Sequence, residues 1–352
     1  MKRKKVISNI SPNRHFSKGR LYSKIVLWVF LSIASLETLI VLACYLFYTN
    51  TISTFTEWSI MITIGLATST LVTISLITAI RWIIENNTVH TITRSKEDHN
   101  TLTELYKAVE KSELCIYYQP QINLQTGQLV GMETLVRWNH SERGFISPSE
   151  FIPLAEESGL IIAIDNWIIK QACIQNKIWL DQGFNLRVAA NISSIQLKDF
   201  TIVDTIAQIL QQTRLPAQNL ELEITETAMI SDMEKAIAIM HKLRALGVVL
   251  SMDDFGTGYA SLSSLDRFPI QKLKIDKVFV HNVNPLSKGP NLTEHIIQMG
   301  HSLNLIILAE GIETSYQKKY FTQLKCDEGQ GYYFGKPVPA EDFIQLFTHN
   351  FL

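Results

Sequence analysis

Asn219-Leu220-Glu221-Leu222-Glu223-Ile224-Thr225-Glu226 alternates leucine or isoleucine with Glu221, Glu223 and Thr225. That two-residue period puts the three polar side chains on one face of a β-strand. Taken alone, the segment reads as an amphipathic strand with one wet face. Its neighbours change that reading. The β-branched runs Leu186 to Ile192, Val248 to Met252, Lys272 to Ile275 and Leu305 to Leu308 alternate with helical stretches at Asp165 to Gln182, Ile202 to Thr213, Met233 to Leu246 and Thr293 to Leu303. Repetition of strand, helix and strand predicts a mainly parallel sheet. About 250 residues, from Thr101 to Leu352, is the usual length of one (β/α)8 barrel. The predicted fold class is therefore α/β, a TIM-like (β/α)8 barrel, with a helix over Leu102, Leu105, Tyr106 and Val109 leading into it.

Successive predicted strands end in Glu133, Asn191, Glu223, Asp253 with Asp254, Lys274, Glu310 and Gln330. In a barrel these ends meet on one face, where the chemistry of the architecture is located. Strands with helices outside and packed side chains inside have no wet face, so repeated carboxylates at their ends need a partner cation. Asp253 and Asp254 would point to opposite faces of a continuing strand; Gly256 and Gly258 follow, and a turn there would let both carboxylates reach one site. Oxygen ligands with a single Lys, and no His or Cys, fit Mg²⁺ or Mn²⁺ rather than zinc. Two such ions could share Asp253 as a bridge, activate a water and offset negative charge on a phosphoryl oxygen. Lys274 reads either as a salt bridge in the barrel or as the group that orients the attacking water.

At these residues the chain resembles the EAL-domain family of bacterial cyclic di-GMP phosphodiesterases, along the whole of 101–352. The resemblance is carried by Tyr118-Gln119-Pro120, Glu133-Thr134-Leu135-Val136-Arg137-Trp138, Phe151-Ile152-Pro153-Leu154-Ala155-Glu156, Asn191-Ile192-Ser193 and Glu223-Ile224-Thr225-Glu226, then by Asp253-Asp254-Phe255-Gly256-Thr257-Gly258, Leu273-Lys274-Ile275-Asp276, Ala309-Glu310-Gly311-Ile312-Glu313 and Gln330-Gly331-Tyr332. It implies two metal ions held by Glu133, Asn191, Glu223, Asp253, Asp254 and Glu310, with Glu133, Lys274 and Glu310 catalytic. It further implies that Lys274 and Glu310 tune the attacking water, that Gln330 contacts water or substrate, and that Gln119 and Arg137 hold the ligand, Arg137 at a phosphate. Glu226 resembles the family glutamate that fixes the loop after Asp253, a loop linked to dimerisation. Similar enzymes open cyclic di-GMP to linear pGpG. The family's Glu-Ala-Leu reads Glu133-Thr134-Leu135 here, a change expected to alter only packing because Thr134 points away from Glu133. Tyr259-Ala260-Ser261 stands where a Ser-Ser pair is usual.

The remaining residues, 1–100, differ in character. The chain has 352 residues, 46% hydrophobic, with a net charge of −1. Residues 1–24 carry eight basic side chains and no carboxylate, which leaves −9 on the rest. Nothing in these totals suggests a general DNA-binding surface. Ile25 to Tyr48 and Trp58 or Ser59 to Ile84 are apolar runs of the length that crosses a bilayer, predicting a two-helix transmembrane hairpin over 25–84. A cleaved signal peptide is the competing reading of the first run. The external loop 49–57 lacks Lys and Arg, so the positive-inside bias places both termini in the cytoplasm of a bacterial inner membrane. Glu37 in the first run reads as a signalling or helix-pairing group, or as a protonated partner of Ser and Thr on the second. Residues 85–100 form a polar linker. The four cysteines are scattered and suggest a reduced setting.

Two functions follow. One is a phosphodiesterase acting on cyclic di-GMP beside the bilayer, with a barrel homodimer and a partner at the membrane as expected associations. The other is a catalytically silent cyclic di-GMP receptor that signals through the membrane helices. The intact ligand and lysine set favours the enzyme.

Overall fold

The computed structural model of the chain describes residues 98, 100–109, 111, 113–226, 232–256, 265–283 and 292–348, with residues 70, 75 and 77–79 in addition. The first predicted membrane span with Glu37, the second apart from residues 70, 75 and 77–79, Gly258 and Tyr259 to Ser261 lie outside the described residues. Among the described residues no helix is long and apolar enough to cross a membrane.

Behind a helix over 101–109, the chain runs β1 (Leu114–Asn123), β2 (Leu129–His140), β3 (Gly144–Ile146), α1 (Pro148–Ser158), α2 (Ile161–Asp181), β4 (Arg187–Ile192), α3 (Thr201–Thr213) and β5 (Leu220–Thr225). It continues through α4 (Met233–Ala245), β6 (Val249–Phe255), β7 (Lys272–Ile275), α5 (Lys277–His281), α6 (Leu292–Ser302), β8 (Ile306–Ala309), α7 (Ser315–Gln323), β9 (Glu328–Gln330) and α8 (Ala340–Thr348). The sheet order β1-β9-β8-β7-β6-β5-β4-β2-β3, with β1 also paired to β2, closes an eight-stranded barrel and leaves β3 as an outer extension.

Seven barrel strands are parallel, as the alternating pattern predicted. The departure is β1, which runs antiparallel to both neighbours. Five residues separate it from β2, too few for a crossover and enough for a hairpin. Asn123 builds that hairpin, its Oδ1 accepting from the backbone N–H groups of Gln125 and Thr126.

In β5, Leu220, Leu222 and Ile224 join the apolar core while Glu221 and Glu223 line the barrel, and all five are completely buried. The alternation thus separates a hydrocarbon face under the helices from a polar interior. Thr134 does more than pack: its buried hydroxyl donates to the Ala189 carbonyl on β4 at 2.8 Å, tying β2 to its neighbour. Phe343 of α8, with no exposed surface, sits 5.3 Å from the Trp179 ring of α2 and 6.0 Å from the Tyr118 ring of β1. This aromatic cluster joins the last helix to the first strand. Phe343→Ala should therefore lower stability by about 3–5 kcal/mol, measured by urea denaturation with the slope of the transition unchanged.

Candidate active site at the barrel mouth

Lys274 on β7 is fully buried, and its Nζ lies 2.8 Å from Glu310 Oε1, 2.9 Å from Glu223 Oε2, 3.1 Å from Asp253 Oδ1 and 3.7 Å from Glu133 Oε2. Four carboxylates from four separate strand ends thus converge on one ammonium. Burial would depress the lysine pKa, but the charges of Asp253, Glu133, Glu223 and Glu310 outweigh it and hold the pKa well above the ordinary lysine value. Lys274 is held as a cation in this arrangement.

Asp254 joins the cluster by a route different from the expected one. The chain turns at Asp254 itself, which has φ +55°, at a register shift between Met252 and Phe255. Aspartate is one of the few residues besides glycine that enters this left-handed region readily. The bulge cancels the strand alternation, and single carboxylate oxygens of Asp253, Asp254 and Glu310 all fall within 4.8 Å of one another. Gly256, with φ +94°, continues the turn, and its N–H donates to Glu226 Oε2 at 3.2 Å. That hydrogen bond is how Glu226, buried at the end of β5, holds the start of the loop that follows Asp253.

The amides complete the site. Asn191 Nδ2 donates to Glu133 Oε1 at 3.3 Å, and Gln330 Nε2 donates to Glu133 Oε2 and, at 3.1 Å, to Gln119 Oε1. Gln119 Nε2 in turn donates to the Gly335 carbonyl at 3.2 Å. Gly331 follows Gln330 with φ +153°, and a Cβ there would sit 2.2 Å from the Ile312 carbonyl oxygen, so only glycine lets the Glu310 loop cross so close to β9. Arg137 lies apart from the carboxylates. It lines a cavity of about 480 Å³ beside the mouth, together with Leu135, Ile152, Asn191, Ser193 and Thr225. Its guanidinium donates to the Val136 carbonyl and stacks 5.6 Å above the Tyr117 ring.

A second charged cluster lies deeper in the barrel, and the sequence reading missed most of it. Arg187 Nε and Nη2 reach Glu221 Oε2 and Glu328 Oε1 at 2.9 and 2.8 Å, and Lys272 Nζ reaches Glu221 Oε2 and Glu328 Oε2 at 3.2 and 2.7 Å. The signal was available. Three members stand two residues before a site residue on the same strand, Glu221 before Glu223, Lys272 before Lys274 and Glu328 before Gln330, and Arg187 stands four before Asn191. The pleat repeats its inward face at that interval, and barrels stack such residues in layers.

The two layers differ in charge balance. Below, two cations meet two carboxylates, and although burial pushes the Glu221 pKa up, Lys272 and Arg187 more than reverse it and leave it lowered. Above, Glu133, Glu223, Asp253, Asp254 and Glu310 share the single cation Lys274. Fully ionised, these five leave four negative charges, and the buried Asp276, hydrogen-bonded to Asp254, adds a fifth. Burial, despite Lys274, with help from Glu133 and Asp253, raises the Glu223 pKa well above the carboxylate range. Glu310 is driven by burial, then by Asp253 and Glu133 against Lys274, up to about 8; Asp254, by burial and Asp253, up to about 6. Glu223 Oε1, fully buried, has no hydrogen-bond partner among the described residues. A hard-oxygen donor set with surplus negative charge and an orphaned carboxylate oxygen fits Mg²⁺ or Mn²⁺. Protons compete for these oxygens because the raised carboxyls must ionise before they ligate. Mn²⁺ affinity should therefore rise with pH, most steeply between about 6 and about 8, with proton release on binding, both measurable by titration calorimetry in paired buffers.

Residues 102–337 match the family model for the EAL domain. The chain is 38% identical over 251 residues to MucR of Pseudomonas aeruginosa, described as a bifunctional diguanylate cyclase/cyclic di-GMP phosphodiesterase, covering 71% of this chain and 37% of that protein. It is 42% identical over 245 residues to the cyclic di-GMP phosphodiesterase PdeR of Escherichia coli, covering 70% of this chain and 37% of PdeR. The chain thus spans little more than a third of either curated relative. A solved structure of the PaMucR phosphodiesterase in complex with c-di-GMP matches with a TM-score of 0.67 at 39% identity, over 69% of this chain and 99% of that one. With its closed barrel, its carboxylate ring and these likenesses, the chain belongs to the EAL domain family.

Proposed function

We propose that this chain hydrolyses cyclic di-GMP to linear pGpG with two divalent cations, Mg²⁺ or Mn²⁺, at the barrel mouth. The observation that carries the reading is the surplus of buried negative charge around Lys274, next to a cavity lined by Arg137. Glu133, Asn191, Glu223, Asp253, Asp254 and Glu310 would hold the ions. When bound, the ions would lower the pKa of a coordinated water and offset charge on the phosphoryl oxygens. In the overall change a water oxygen bonds to phosphorus, the bond from phosphorus to the ribose 3′ oxygen breaks, and that oxygen takes up a proton, giving a 5′ phosphate and a 3′ hydroxyl. Lys274 fixes the carboxylates and supplies positive charge to the attacking oxygen. Arg137 offers a planar pair of donors to a phosphate, the geometry that suits it best. Gln119 on β1 would contact the ligand, and Gln330 on β9 the water or the ligand.

The apolar runs at 25–48 and 58 or 59–84, with basic residues before the first and Arg81 near the end of the second, support a setting at the bacterial inner membrane with both termini cytoplasmic. A homodimer through the barrel and a signalling partner at the bilayer belong to the same proposal.

The full chain with Mn²⁺ should convert cyclic di-GMP to pGpG. Glu223→Gln should lower kcat by ~100-fold or more, the upper end of what loss of a metal ligand's outer partner costs, with the same circular dichroism spectrum. Tight binding of the dinucleotide without product, in the unsubstituted chain, would instead make it a receptor. Arg137→Ala should raise KM more than it lowers kcat, because a phosphate contact operates in the ground state as well as the transition state.

A further inference from the structure

The charge-balanced lower layer and the site above it are joined by one side chain, Gln121, which is completely buried on β1. Its Oε1 accepts from Lys272 Nζ at 2.8 Å, and its Nε2 donates to Gln330 Oε1 at 3.0 Å. Gln121 and Gln330 are register partners across the antiparallel β1–β9 pair, as are Gln119 and Glu133 across β1–β2. Because β1 runs against the other strands, the step from lower to upper layer goes from Gln121 back to Gln119.

An isolated glutamine can present either end of its amide, and its partners decide which. Lys272 decides here. An ammonium only donates, so the Gln121 oxygen must face it and the Gln121 NH₂ must face Gln330. Gln330 then offers its oxygen downward and its NH₂ upward, to Glu133 Oε2 and Gln119 Oε1. The charge on a buried lysine at the lower end and the carboxylate of Glu133 at the upper end thereby agree on the direction of the amides between them. With the opposite direction, the Gln330 carbonyl oxygen would confront the Glu133 carboxylate, two acceptors with no proton between them.

We infer that Gln121, oriented by Lys272, is a positioning residue for the metal centre: it locks the Gln330 amide so that Glu133 receives a hydrogen bond and presents its carboxylate to the cation. The inference rests on the metal-site reading. Outer partners of metal ligands act in this way, fixing the ligand's orientation and basicity.

Two substitutions separate this role from simple filling of the barrel. Gln121→Glu keeps size and polarity and pairs with Lys272, yet its carboxylate can only accept, so it draws the Gln330 NH₂ downward and reverses the relay. Gln121→Met keeps the volume and leaves the relay unforced. With full-length protein and Mn²⁺ alone as probe, titration calorimetry should find affinity weakened on the order of 10- to 100-fold in Gln121→Glu, and less in Gln121→Met. A packing role predicts the opposite order, and the added negative charge by itself predicts tighter binding in Gln121→Glu; either result overturns the relay. A neutron structure of the unsubstituted full chain tests the direction without any variant, also should Gln121→Glu fail to fold. Deuterons of Gln121 Nε2 facing Gln330 together with those of Gln330 Nε2 facing Glu133 support the relay, and deuterons of either amide on its other side end it. Absence of Mn²⁺ binding by the unsubstituted chain would overturn the metal reading, while the neutron result still decides the relay.

Discussion

An excess of buried negative charge at the mouth of a closed barrel is the constraint on which the rest of this structure depends. Taking a carboxylate out of water costs several kcal/mol even after relaxation, and four of them gather about one ammonium with the half-buried Asp254 beside them. A single lysine cannot balance them. Burial first, and then that imbalance, raises the pKa of Glu223 and Glu310, and the surplus charge creates the site's demand for hard cations. The turn at Asp254, with φ +55° at a strand bulge, swings a further carboxylate into the group.

The layer beneath supplies the contrast. Arg187, Lys272, Glu221 and Glu328 satisfy one another without a further charge. Such a closed set is a firm floor, because removing any one member strands an opposite charge in the interior. On β5, β7 and β9 a floor residue stands two positions before a residue of the site, so there the pleat that builds the floor also aims the site. Gln121 spans the step between them, and the antiparallel entry of β1 makes this possible by setting Gln121 opposite Gln330 and Gln119 opposite Glu133.

Most of the barrel was legible in the chain. Alternation at 219–226 located β5, and the spacing of the β-branched runs located its parallel neighbours, because a strand's period and a helix's period are local properties. The strand-end carboxylates could be assigned to one face once the barrel was assumed. The hairpin direction of β1 was less legible, since the signal lies in a five-residue connection and the turn chemistry of Asn123 rather than in the strand's own pattern. The role of Thr134 was misjudged for a related reason: its hydroxyl partner, the Ala189 carbonyl, is 55 residues away.

By itself, then, the sequence determined the fold class, the faces of the strands and the identity of the oxygen donors at the mouth. All of these follow from residue type and short-range periodicity. Tertiary structure alone decided which donors share one cation, that the turn falls on Asp254, and that Lys272 is joined to Glu133 through amides that begin at a glutamine 151 positions distant. Charge balance and hydrogen-bond direction are properties of groups brought together in space, and strands far apart in sequence meet only when the barrel closes.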